Sequence, residues 1–322
     1  MNEASQLYTD GIITDADRDA IQQYEATKLF SLHWELRTIL YIGILLFTSG
    51  IGILIYLNID TIGHQTILAL IAAAIGACFY YLVKHKQPYS DSEVKNVSPL
   101  FDYIGLLGCL LFATFIGYLQ FQYKVFGHLL WLATLLPAAL CFYSAYAFDH
   151  KGLLALGITG FISTMGLSIA PMQLLYNDDF ADPRILFTAT GMGLLLVAVA
   201  LYSQHKNIKP HFSFTYHNFA ATLLFVSALA LLFVYPFKLL SFLWLAALCV
   251  YFVRYAIAQQ SFLFLLYATV YSYIGLTYVV FSILLDDNYG DGAFVLGMLY
   301  IMASCVGVIF FFIKYKKILR LK

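Results

Sequence analysis

An all-α polytopic transmembrane helix bundle of about ten spans, fronted by a short cytoplasmic helical module, is the fold class this sequence predicts, and three observations predict it. Of 322 residues, 61% are hydrophobic and 11% are charged, with a mean hydropathy of +0.80, which excludes a water-soluble domain. Ten apolar runs recur along the chain, each near the roughly 20 residues that a helix needs to cross a hydrocarbon core of about 30 Å. The connections between them are mostly short and polar, and Lys and Arg collect in every second one. The runs are too long and too uniformly apolar for barrel strands, so the spans are helices.

Residues 1–38 are the one soluble element, a cytoplasmic N-terminal helical module. Gly11 closes a short helix-like run, and Thr14 with Asp17 makes a T-x-x-D variant of the capping box, so a second helix starts there. Its Ala20, Ile21, Tyr24 and Leu29 recur at helical spacing, which gives residues 14–29 an apolar face for the first span or for a protein partner. The first 38 residues hold no apolar signal core, so the first span serves as its own insertion signal. The bundle occupies 39–313, with spans at 39–57, 66–83, 102–119, 128–148, 152–170, 185–203, 217–235, 239–258, 262–285 and 292–313. Only Asp149-His150-Lys151 and Pro236-Phe237-Lys238 part spans four from five and seven from eight, so merged or re-entrant pairs are the alternative there. Residues 314–322 form a basic cytoplasmic tail.

Orientation follows from charge. With ten spans, the even-numbered connections and both termini share one side, and 15 of the 18 Lys and Arg residues lie on it; the opposite side has only Lys124, Arg184 and Lys238. The positive-inside rule therefore places both termini in the cytoplasm and the protein in the cell (inner) membrane. Asp178, Asp179, Asp182, Asp286, Asp287 and Asp291 all fall outside and match no calcium-loop spacing. The five cysteines lie far apart in the spans with no C-x-x-C pair, so neither a disulfide framework nor a zinc site is expected.

The order G-I-I-T at 11–14, then Ala16, Ile21 and Tyr24, leads into a first span reading I-G-I-L-L-F-T-S-G-I-G-I-L-I-Y-L-N-I-D. This combination resembles the bacterial membrane family called domain of unknown function 2157, whose first span has glycines matching Gly43, Gly50 and Gly52 and a closing Asn matching Asn58. The chain departs from it with Ile59 where the family often has Trp. The resemblance implies a short cytoplasmic module before a membrane bundle, and no reaction.

Candidate sites are few because charge inside the spans is nearly absent. Glu35, Arg37, Asp102, Asp149 and Arg254 sit near the cytoplasmic span ends, either as snorkelling and dipole-matched residues or as an ionic cluster gating a vestibule. Span five carries Gly157, Gly160, Thr164 and Ser168 on one face, a pattern of close helix packing or of a cavity wall. Span nine carries Tyr267, Tyr271, Tyr278 and Ser282 within about 60°, and hydroxyls that deep need partners inside the bundle. No Walker loop, dinucleotide fingerprint, H-E-x-x-H or G-x-S-x-G occurs, so no enzyme, cofactor or nucleic-acid role is expected.

Two readings of function remain. Ten spans with both ends inside resemble the drug/metabolite transporter superfamily, which suggests a transporter or flippase of a small or lipid-like substrate, although the loop lengths of the two halves do not correspond. The alternative is a non-transporting scaffold or envelope sensor acting through residues 14–29. A cavity beside spans five and nine favours the first reading, and an exposed face on the module favours the second. The sequence specifies no oligomeric state.

Overall fold

The structure is a computed structural model that describes Thr14 and residues 33–94, 98–169, 182–284 and 292–319. The N-terminal module other than Thr14, the outer loops with Asp178, Asp179, Asp286, Asp287 and Asp291, and the side chain of Glu35 lie outside the described residues.

Among the described residues the chain is all helical: α1 His33–Ile62, α2 His64–His85, α3 Pro99–Tyr123, α4 Leu130–Phe148, α5 Lys151–Ile169, α6 Pro183–Lys206, α7 Ser213–Val234, α8 Lys238–Gln259, α9 Phe262–Leu284 and α10 Gly292–Ile318, with a 3-10 turn at Pro210–Phe212. Nine of these helices are long and apolar enough to cross a membrane. The tenth, α10, is 27 residues long with a described apolar stretch at Val295–Ser304, and its helix runs past 313 into the basic tail.

Helix ends follow local chemistry. Ser98 and Asp182 cap α3 and α6 by accepting from Leu100 N at 3.2 Å and Arg184 N at 2.7 Å, and in both helices Pro takes the first position, where its missing N–H costs nothing. The two doubtful boundaries are real breaks. Asp149 turns left-handed (φ 56°) and closes α4 with its N–H on the Ala145 carbonyl, while Tyr235 goes extended (ψ 141°) ahead of Pro236. Spans four and five, and seven and eight, are separate helices.

Two compact units divide at Leu57 and Asn58. In the second, side-chain pairs fix an antiparallel order. Gly157 meets Phe142, Gly160 meets Ala138 and Thr164 meets Thr134, so α5 runs back along α4. Thr190 with Ser227 and Gly193 with Leu224 do the same for α6 and α7, as do Ser241 with Leu231 for α7 and α8, Cys249 with Ala268 for α8 and α9, and Thr277 with Tyr300 for α9 and α10. The central helix is α7, which packs on α5, α6, α8 and α9 and buries Ala221, Leu224, Phe225, Ala228 and Leu232. Within lipid, tail-to-tail burial gains little, so the bundle depends on close backbone approach and interhelical hydrogen bonds. A Cβ on Gly160 would stand 2.9 Å from that of Ala138, so only glycine permits the α4–α5 contact.

Candidate functional site

Three connections meet at one end of the α2–α10 bundle: α2 to α3, α4 to α5, and α6 to α7. All three belong to the set in which basic residues collect. The left-handed turn at Asp149 sets its carboxylate at the end of α4, and a second left-handed residue, Lys209 (φ 47°), precedes Pro210. Asp149 Oδ1 accepts from Lys209 Nζ at 3.0 Å and from His211 Nε2 at 2.6 Å, and Oδ2 accepts from the Val94 backbone N–H at 2.6 Å. Lys209 also donates to the Ser90 carbonyl at 3.1 Å, lies 4.9 Å from the Tyr89 ring, and gives its backbone N–H to the Asp91 carbonyl.

The Lys209 and Asp149 side chains are 2% and 5% exposed, so a charged pair is withdrawn from water with both members hydrogen-bonded. Burial alone would raise the Asp149 carboxyl; the Val94 N–H, Lys209 and His211 outweigh it and hold the group below the usual carboxylate range. Around this centre, Lys151 Nζ pairs with Glu93 Oε1 at 2.7 Å in solvent, and that hydrogen bond holds the Glu93 carboxyl low. His150 Nδ1 accepts from Leu153 N at 3.0 Å, which assigns its proton to Nε2, 3.9 Å from Asp102 Oδ1.

The structure brings Asp102 and Asp149 into this cluster and does not pair Arg254 with either. Arg254 is exposed on α8, with no ion pair among the described residues, and Arg37 lies on α1, 6.0 Å from the Tyr41 ring. The side chains that meet Asp149 are Lys209 and His211, which sequence reasoning did not pair with it. The available signal was an acid in one basic-side loop and a Lys-Pro-His run in another, 60 residues away.

Both expected stripes face neighbouring helices. On α5, Gly157 and Gly160 abut Phe142 and Ala138, Thr164 is 1% exposed and shares a 3.0 Å hydrogen bond with Thr134, and Ser168 is exposed with its hydroxyl on the Met165 carbonyl. That face is filled by α4 and leaves no cavity wall. On α9, the Tyr271 ring stacks on Phe225 at 5.1 Å, Tyr278 meets Phe233 edge-on at 4.6 Å, Tyr267 lies 6.3 Å from Tyr271, and Ser282 bonds back to Val279. The expectation of interhelical hydroxyl bonds fails here: among the described residues these three tyrosines pack through their rings. Interhelical hydrogen bonding falls instead to Thr277 with Tyr300 and Tyr273 with Ser304 between α9 and α10, and to the fully buried His217 on α7, whose Nδ1 donates to the Ser213 carbonyl at 2.9 Å while Nε2 accepts from the Tyr251 hydroxyl at 3.1 Å. Tyr255 stacks on the same imidazole at 3.9 Å.

On the other flank of α9 a cavity of about 610 Å³ opens between α8, α9 and α10. Leu245 and Cys249 form its floor, Phe242 and Phe311 its ends, and the exposed Val250 and Leu276 its lip, so it opens sideways, toward lipid. Its volume lies in the range of about 300–1,000 Å³ common for ligand pockets. Sequence reading missed it because the residues around it are ordinary apolar and hydroxyl residues of three helices.

Among the described residues, no group of three or more His, Cys, Asp or Glu side chains is placed to hold a metal ion. Neither a curated protein nor a solved structure matches the chain. Residues 5–154 match the family described as Predicted membrane protein (DUF2157), so the resemblance carried by the N-terminal segment and first span holds, and it extends through α2, α3 and α4 to Asp149 and the start of α5.

Proposed function

We propose that this chain is a non-enzymatic protein of the inner membrane, with both termini cytoplasmic, that binds and moves a lipid-like substrate as a transporter or flippase. The observation that supports this reading is the sideways-opening apolar cavity between α8, α9 and α10. A water-soluble solute needs polar groups converging on an enclosed path, whereas the hydroxyl faces of α5 and the tyrosine face of α9 are taken up by packing. A lipid needs only lateral entry and an apolar wall.

The test is reconstitution of the full chain in liposomes carrying a headgroup-labelled phospholipid. Transbilayer movement that depends on the protein is the expected result, read as label made accessible to a membrane-impermeant quencher. Movement equal to that of protein-free liposomes would overturn the proposal.

A further inference from the structure

The polar atoms around the α8–α10 cavity are already committed. Thr269 donates to the Leu265 carbonyl at 2.8 Å, and Ser272 to Thr269 at 3.1 Å. Ser304 gives its hydrogen to the Ile301 carbonyl at 2.8 Å, so the Tyr273 hydroxyl, 3.1 Å away, donates to Ser304. Tyr300 and Thr277 satisfy each other at 2.8 Å, and Cys249 points its thiol at the Ala268 carbonyl. A ligand acceptor that needs a donor from Thr269, Ser272, Tyr273 or Ser304 would have to break one of these bonds. A hydrocarbon chain asks for none, so the wall selects a chain and discriminates against a polar solute.

Charge marks the two ends of the same surface. On α8, Lys238 stands one turn before Phe242 and shares a helical face with Leu245 and Cys249, so its backbone position heads the stripe that lines the cavity, while its ammonium leans across to Tyr278 on the face of α9 turned toward α7. On α10, Lys314 follows Gly307 and Phe311 at helical spacing and closes the stripe at the basic end. Both lysines are exposed, and neither has a carboxylate partner among the described residues; their ammonium groups rest near aromatic rings, Lys238 at 5.3 Å from Tyr278 and Lys314 at 5.6 Å from Phe310. The Thr277–Tyr300 pair sets Tyr278 level with Leu299, fifteen residues before Lys314. At 1.5 Å per residue the two lysines are separated by about 22 Å along the bundle. That is close to the span of a hydrocarbon core of about 30 Å, so each lysine comes near one headgroup layer.

We propose that this groove is a phospholipid site: one acyl chain lies between α8, α9 and α10, and the lipid phosphate sits on Lys238 when the lipid enters from one leaflet and on Lys314 when it enters from the other. An exposed lysine can lay its stem along the apolar wall and carry its ammonium to the headgroup layer, which for Lys238 means swinging off the Tyr278 ring. This assignment rests on the lipid-handling reading and names the substrate class and its two contact points.

The experiment uses the full chain in nanodiscs with two probes, phosphatidylglycerol and diacylglycerol, each carrying a diazirine on one acyl chain. Photolabelling is mapped by peptide mass spectrometry. Labels from both probes should concentrate on the α8, α9 and α10 segments that line the groove. Gly307→Leu, at a position where an added Cβ meets nothing within 4 Å, should fold normally and remove those labels. Lys238→Gln and Lys314→Gln should each lower phosphatidylglycerol labelling roughly fivefold, leave diacylglycerol labelling unchanged, and be rescued by Arg. Labelling spread evenly over all lipid-facing helices, or unaffected by Gly307→Leu, overturns the site. Equal loss of both probes in the lysine variants overturns the phosphate assignment. Groove labelling without transbilayer movement in liposomes would refute the transport reading and leave the site standing, whereas movement without groove labelling would do the reverse.

Discussion

The α4–α5 hairpin and the α8–α10 groove are built from the same vocabulary of glycine, hydroxyl and aliphatic residues, yet one is shut and the other open. On the hairpin, Gly157, Gly160 and Thr164 each find a partner at matching height on α4, and the hairpin turn at Asp149 is pinned by Lys209 and His211. Beside the groove, α9 and α10 touch through long side chains, Tyr273 to Ser304 and Tyr300 to Thr277, which hold the helices apart while satisfying the hydroxyls. Small residues close an interface only where the facing helix also approaches. Where a tyrosine bridges the gap, the same small residues leave room.

Breaking the pinned side should give the largest effect. Lys209→Met leaves the Asp149 carboxylate buried with one cation fewer, and the loss of one partner from a buried pair costs about 3–5 kcal/mol, read by thermal unfolding in detergent. Combining it with Asp149→Leu should recover most of that loss, since the uncompensated charge goes too. A double variant as unstable as the single one would mean that the clasp contributes shape rather than charge. Acid acts on the same group. Because the folded state holds the Asp149 carboxyl below its ordinary value near 3.9, its contribution is fully present above about pH 4 and is lost as pH falls through the lower native value. Melting temperature should drop over that interval in the native protein and drop less in the Lys209→Met/Asp149→Leu variant.

A matched pair of substitutions contrasts the two regions directly. Gly160→Leu drives a side chain into Ala138, where even a Cβ stands at 2.9 Å, and should cost about 1–3 kcal/mol or more. Gly307→Leu, into open space, should leave stability near wild type. Equal losses would erase the distinction between shut and open faces. Smaller again is Thr164→Val, which removes the bond to Thr134; interhelical hydrogen bonds of this kind average about 0.6 kcal/mol. Smallest is Lys151→Ala. Its bond to Glu93 lies in solvent, with both side chains about half exposed, and its removal should fall within the roughly 0–1 kcal/mol of surface pairs.

The outline of the fold was legible because a bilayer imposes it: an apolar run near twenty residues must be a helix, and the ten runs become ten helices with ends shifted by a few residues. Even the short separators 149–151 and 236–238 could be read as punctuation, and a left-handed Asp149 and an extended Tyr235 make them so. The sites were less legible. Asp149 stood out as an acid at a span end, but its partners come from a loop whose nearness depends on how α5, α6 and α7 pack, and nothing in the local sequence encodes that distance. The tyrosines of α9 were singled out for buried hydroxyl bonds, yet ring packing on Phe225 and Phe233 stands in their place.

By itself the sequence determined the all-helical class, the place of each span, the side on which basic residues gather, and the family likeness, since each depends on hydrophobicity, charge or motif read along the chain. Only the tertiary structure decided that Lys209 and His211 close on Asp149, that Gly160 meets Ala138, and that α8, α9 and α10 stand apart around an apolar cavity. Those outcomes depend on the separation and rotation of helices about their axes. Helices that are apolar all round carry little record of either, because in lipid every face is equally content until a neighbour fits it.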